Sequence, residues 1–151
     1  MRPRGSVVVA NSRYARLFQA TPLERIDVIR KGLPAACVIE TSAAMGLSAT
    51  QFLAMLRLKR SIRRYLKTNA VLPVEDSERI VGLQALIGQA EIMVAESGAP
   101  PRFNAAHWLA NWLTQPLAAL NNAKPAEFLD TVKGQKLVSR LLARLPSGAY
   151  A

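Results

Sequence analysis

The chain is predicted to be all-α, and three observations carry that expectation. Ala and Leu dominate a composition that is 50% hydrophobic with only 6% aromatics, and the β-branched runs are short. Apolar residues recur at helical spacing along most of the sequence. Helix starts and stops are marked by capping residues, prolines and glycines at the positions where each works. With 151 residues the chain is long enough for one helical core or two small ones.

Residues 1–20 show no helical periodicity and carry Arg2, Arg4, Arg13 and Arg16. They read as a flexible basic arm. Thr21-Pro22-Leu23-Glu24 then supplies a capping Thr, a Pro at the first helical position and a Glu three residues after the cap. That first helix is expected to reach about Lys31 and stop at Gly32. Pro34 is expected to open a second helix, with Val38, Ile39 and Met45 on its apolar surface and Gly46 as its stop. Ser48 and Gln51 make another capping pattern ahead of Phe52, Leu53, Met55 and Leu56.

Arg57 and Leu58 read as a short turn before a basic helix. In that helix Leu58, Ile62, Tyr65 and Leu66 share one side, which leaves Lys59, Arg60, Ser61, Arg63, Arg64 and Lys67 for the other. Two short helices joined by a tight turn, with cations on the outer face of the second, suit a helix entering a major groove lined by phosphates. Residues 21–72 are therefore expected to form a Cro-like helix-turn-helix bundle. On this reading Lys59, Arg60 and Ser61 face base edges, while Arg64 and Lys67 meet phosphates and fix register. The alternative is a solvated cationic face on an ordinary amphipathic helix. Two features depart from the usual motif: Arg57 stands where many turns place Gly, and Leu53 or Ala54 must fill the small-residue position at the helix crossing.

Charge divides the chain at the same point. Residues 1–72 hold thirteen Lys and Arg against Glu24, Asp27 and Glu40, whereas residues 73–151 hold seven basic and seven acidic residues. The whole net charge of +10 therefore lies in the first part, as a protein that meets a polyanion with one half and a different partner with the other would need.

Beyond Leu72-Pro73, the acids of Glu75-Asp76-Ser77-Glu78 complement a helix dipole at its N-terminus. The long helix that follows, to about Glu96, carries Ile80, Val81, Leu83, Leu86, Ile87, Met93 and Val94, with Gly82 and Gly88 permitting close approach. So wide an apolar surface suggests a homodimer seam; the alternative is a central core helix. Gly98-Ala99-Pro100-Pro101 ends it, and Asn104 caps a helix with His107, Trp108, Leu109, Trp112 and Leu113. Trp108, Trp112, Phe128 and Leu141 are assigned mainly to the core.

Several functions are disfavoured by what the sequence holds. The single Cys37 closes no intrachain disulfide, no Cys/His set has zinc spacing, and a reducing cytoplasm is the expected compartment. Val7 to Ala10 is too short for a signal-peptide core, and no segment approaches the roughly 18 unbroken apolar residues of a membrane span. His107 has no second metal donor nearby, and no Ser/His/Asp set, phosphate loop or carboxylate pair stands out. No catalytic residue, metal site or cofactor is expected. A membrane-surface role for the basic helix is the weakest option, because it lacks Trp or Phe for insertion.

The end of the chain is the other specific region. Trp112-Leu113 leads through Pro116-Leu117-Ala118-Ala119-Leu120 to Pro125-Ala126-Glu127-Phe128-Leu129-Asp130-Thr131-Val132-Lys133-Gly134, then to a last helix and the tail Gly148-Ala149-Tyr150-Ala151. This resembles the toxin-binding domain of Xre-type antitoxins, the Xre/MbcA/ParS family, with its Pro-x-x-Ala-Leu, Pro-x-x-Leu-Leu-x-Thr-x-x-Gly and final Gly-x-x-Ala. The resemblance runs from about Thr21 to Ala151. It departs at Asn121-Asn122, where relatives commonly have Gly-Gly; Asn tolerates left-handed backbone better than most residues. Phe128 replaces the first Leu of the second pattern and keeps its apolar character.

The resemblance implies a non-catalytic, usually dimeric antitoxin of a type II pair, with residues 73–151 as a dimerisation and toxin-binding domain. It implies a RES-domain toxin that consumes NAD as partner, and operator DNA bound to repress the antitoxin's own operon. After Pro146 regular helix cannot continue, so the slim tail with one ring and one carboxylate suits insertion into a dinucleotide cleft. Gly148, Ala149, Tyr150 and Ala151 are the expected toxin-binding residues; a solvated terminus is the alternative. A plain dimeric helix-turn-helix regulator without a toxin remains the competing function.

Overall fold

A computed structural model describes residues 12–100, 102–146 and 149. Among them the chain forms eight α-helices and two short 3-10 turns, with no strand beyond two isolated bridges. The all-α expectation holds. The helices are α1 (Arg13–Gln19), α2 (Pro22–Lys31), α3 (Ala36–Ala44), α4 (Ala49–Met55), α5 (Ile62–Thr68), α6 (Val74–Glu96), α7 (Ala105–Leu113) and α8 (Val132–Ala143); the 3-10 turns are η1 (Ala118–Leu120) and η2 (Pro125–Phe128).

The reading of residues 1–20 as a flexible arm is corrected for the part described. Ser12 caps α1, accepting from the Tyr14 and Ala15 amides, and its hydroxyl donates to Glu91 Oε1 at 2.6 Å. The helix then lies antiparallel on α6 with Ala15 fully buried and Tyr14 and Leu17 against the core. Approach is so close that a Cβ on Gly88 would stand 2.0 Å from the Tyr14 carbonyl oxygen. Seven residues are too few for a stable isolated helix, so tertiary packing, invisible to local periodicity, forms α1. Residues 1–11, including Arg2 and Arg4, lie outside the described residues.

α2 begins at the Thr21–Glu24 capping box and ends at Gly32, whose φ of 80° needs a residue without a Cβ. Pro34 does not open α3. Its backbone pairs with Val71 in an isolated bridge, flanked by Ala35 N to Ala70 O and Leu72 N to Leu33 O. The first helical amide, that of Ala36, is instead taken by Asn69 Oδ1 at 2.7 Å. α4 starts on the Ser48–Gln51 capping box.

α6 is the axis of the molecule. Thirteen of its 23 residues are buried, and its neighbours are α1, α2, α7 and α8 of the same chain. The expected homodimer seam on this helix is therefore corrected: its apolar width is consumed internally, and Gly82 and Gly88 admit α8 and α1. One contiguous core runs from Leu33 and Phe52 through Ile80, Leu83 and Ile87 to Leu109, Leu113, Leu129 and Leu142. Each such side chain contributes about 1.5–3 kcal/mol by leaving water. The two halves of the chain thus share one interior, and the C-terminal elements can fix the position of the N-terminal ones.

Candidate functional site

The basic surface is built on the turn between α4 and α5. α4 ends in a Schellman motif: the Leu58 amide donates to Leu53 O at 2.9 Å and the Arg57 amide to Ala54 O at 3.1 Å. Arg57 occupies the position where Gly is usual and adopts φ 52°. Left-handed backbone costs a residue with a Cβ roughly 1 kcal/mol or more, and the surroundings hold it there. Arg79 of α6 donates from Nη1 to Arg57 O at 2.9 Å, and Asp130 pairs with the Arg57 guanidinium at 3.5 Å. At the crossing Leu53 lies inside and Ala54 outside.

α5 begins later than its charges suggest. Lys59 and Arg60, expected on its first turn, sit in the lead-in, and Ser61 is the N-cap without a side-chain cap bond. The Ile62, Arg63 and Arg64 amides reach back only three residues, to Lys59, Arg60 and Ser61, so this is a tight 3-10 entry. Arg60, Arg63, Arg64 and Lys67 do share an exposed surface, with Ile62 fully buried beneath them. Arg63 is held in place by Thr50 of α4, donating to Oγ1 at 2.7 Å. Sequence reading missed this bond, because nothing in the sequence pairs residues thirteen apart on two different helices.

At the start of α6, near the basic surface, one carboxyl is perturbed. Burial raises the Asp76 carboxyl above its usual range, Arg79 and Lys59 pull it down, and Glu75 pushes it up. Among the described residues no three His, Cys, Asp or Glu side chains gather as a metal would require.

In the C-terminal part the two sequence patterns become turn chemistry. Asn121 and Asn122 adopt φ 54° and 67°, so both take the left-handed backbone allowed for at these positions. They close a loop in which Leu117 and Ala123 form a bridge. Pro125 opens η2, and Glu127 accepts from the Lys124 amide. Leu129 is fully buried and Phe128 half-buried. Thr131 caps α8 by accepting from the Gly134 amide at 3.0 Å. Gly134 is required because a Cβ there would stand 1.9 Å from the Phe128 carbonyl oxygen. Trp108 and Trp112 stack at 6.3 Å; Trp112 is buried, and Trp108, like Leu141, is half-buried against the core. Of the expected toxin-binding residues, Gly148, Tyr150 and Ala151 lie outside the described residues. Ala149 is half-buried in a turn, its amide donating to Pro146 O at 3.0 Å.

Fold and site together define a helix-turn-helix protein with a second helical unit folded onto its long central helix. Residues 24–85 match the antitoxin Xre-like helix-turn-helix domain, and residues 99–148 match the antitoxin Xre/MbcA/ParS C-terminal toxin-binding domain. The chain is also 43% identical over 139 residues to a Sphingobium sp. (strain YBL2) protein named Prs ADP-ribosylating antitoxin, covering 91% of this chain and 87% of the relative. The chain belongs to the Xre/MbcA/ParS family of antitoxins. No helix among the described residues is long and apolar enough to cross a membrane.

Proposed function

We propose that this antitoxin binds and inhibits a RES-domain toxin that consumes NAD, and that it represses its own operon by binding operator DNA. The observation that carries the toxin half is the match of residues 99–148 to a toxin-binding domain. The name of the Sphingobium relative ties that antitoxin to ADP-ribosylation, a reaction whose ADP-ribose comes from NAD, which favours an NAD-consuming toxin. Inhibition is steric: Gly148, Ala149, Tyr150 and Ala151 enter the toxin's cleft, with the Tyr150 ring in an apolar slot. The chain itself is non-catalytic and needs no cofactor or membrane partner. It works in the cytoplasm, where NAD and operator DNA are found.

For DNA, Arg63, Arg64 and Lys67 on the exposed surface of α5 bind the major groove, with Lys59, Arg60 and Ser61 beside them at its entry. A homodimer presents two such helices to successive half-sites. Because α6 is occupied within the chain, the dimer forms on α2, which buries none of its residues and leaves Leu23 and Ile26 exposed beside a cleft of about 300 Å3.

The test is co-expression with the product of the adjacent gene, purifying through a tag on this chain. A stable complex, lost when residues 148–151 are removed, is the expected result. Absence of any complex would leave a dimeric DNA-binding regulator, the reading that the helix-turn-helix match supports by itself.

A further inference from the structure

A closed ring of contacts joins the DNA-binding turn to the toxin-binding unit. Arg57, in the turn, pairs with Asp130 at 3.5 Å. Its carbonyl accepts from Arg79 at 2.9 Å. The Arg79 carbonyl accepts from Gln135 Nε2 at 3.1 Å, and the same nitrogen donates to the Leu129 carbonyl at 2.9 Å, next door to Asp130. Gln135 is buried, and it fits only because residue 82 is Gly: a Cβ there would stand 1.8 Å from Gln135 Oε1. Three of these residues, Leu129, Asp130 and Gln135, fall inside the segment matched to the toxin-binding domain.

We propose that Asp130 and Gln135 are positioning residues for DNA recognition, holding the strained Arg57 turn, and hence the entry of α5, in the geometry that binds operator. The proposal rests on the DNA-binding reading above. A left-handed Arg lacks the natural preference of Gly for this backbone. The turn is therefore kept by what grips it, and the grip comes from Arg79 on one side and Asp130 on the other.

The experiment uses the full chain with Asp130→Asn, Arg57→Ala and the double variant. Binding is measured to a duplex from upstream of its own gene and to a scrambled duplex of equal length, together with amide exchange at Arg57 and Leu58. Asp130→Asn is expected to lower discrimination between the duplexes about threefold, the scale of a partly exposed ion pair, and to speed exchange at the two amides by a similar factor. In the Arg57→Ala background it should do neither. A rise in affinity for both duplexes alike would mean that Asp130 acts only as a charge, and unaltered amide exchange would mean that it does not hold the turn; either overturns the proposal. A wild-type chain that fails to discriminate, while amide exchange responds as described, would instead refute the DNA-binding reading and leave the grip on the turn established.

Discussion

Gly88→Ala is expected to lift α1 away from the centre of the molecule. The new Cβ would meet the Tyr14 carbonyl oxygen at 2.0 Å, its carbon at 2.3 Å and the Ala15 nitrogen at 2.7 Å. All three are main-chain atoms, so no side-chain rotation relieves the clash, and α1 must move by more than an ångström. Ala gains about 1 kcal/mol over Gly in a helix interior, which opposes the loss. Against this stand the burial of Ala15 and the packing of Tyr14 and Leu17 on the core, worth roughly 3–5 kcal/mol together, and the Ser12–Glu91 hydrogen bond. A net loss of about 2–4 kcal/mol follows, which lowers Tm by roughly 5–15 °C in a chain of this size. Urea denaturation gives the free energy, and amide exchange along α1 gives the location. Gly98→Ala is the control, since nothing lies within 4 Å of that position and only its left-handed backbone is taxed. A Gly88→Ala chain as stable as the wild type, with α1 amides still protected, would refute the docking of α1 on α6.

Replacing Arg64 and Lys67 together with Ala should make the log-log salt dependence of DNA binding shallower by about 1.8, because each phosphate contact contributes about 0.9. An unaltered slope would place the phosphate contacts on other residues. Glu91 supplies a pH test: burial raises its carboxyl above the ordinary value, the Ser12 hydrogen bond pulling the other way. The folded chain therefore holds that proton more tightly than the unfolded one. Stability rises as pH falls through the raised value and is lost as pH climbs through it. Glu91→Gln, which keeps an acceptor for Ser12, should remove that part of the pH dependence in denaturation curves; curves that stay parallel to the wild type would contradict it. Asn121→Ala and Asn122→Ala should each cost about 1 kcal/mol, and Gly at either position should cost nothing, since both residues hold left-handed backbone. Equal denaturation midpoints for the Ala and Gly variants would remove that explanation.

What was legible in the sequence is what is decided locally. Thr21 with Glu24, Ser48 with Gln51, and Asn104 all cap helices, because a cap is satisfied within three residues of itself. Gly32 and Gly46 stop helices by their positive φ for the same reason. The basic face of α5 was legible as charge, yet its start was not, since Lys59 to Ser61 form a 3-10 entry with no distinguishing residue. α1 was missed because its evidence lies at Glu91 and Gly88, more than seventy residues away. The width of α6 was read correctly and its occupant wrongly: one sequence cannot say whether an apolar face meets its own chain or another copy. The ring of Arg57, Asp130, Gln135 and Arg79 was equally hidden, although Arg57 in a glycine position was the one local sign that something distant had to hold it.

The central claim is tested most directly by NAD loss catalysed by the purified product of the adjacent gene, measured alone, with equimolar full-length chain, and with the chain lacking residues 148–151. The account predicts that NAD is spared by the full chain and consumed again when the tail is removed. NAD consumed at the same rate whether or not the full chain is present would contradict it.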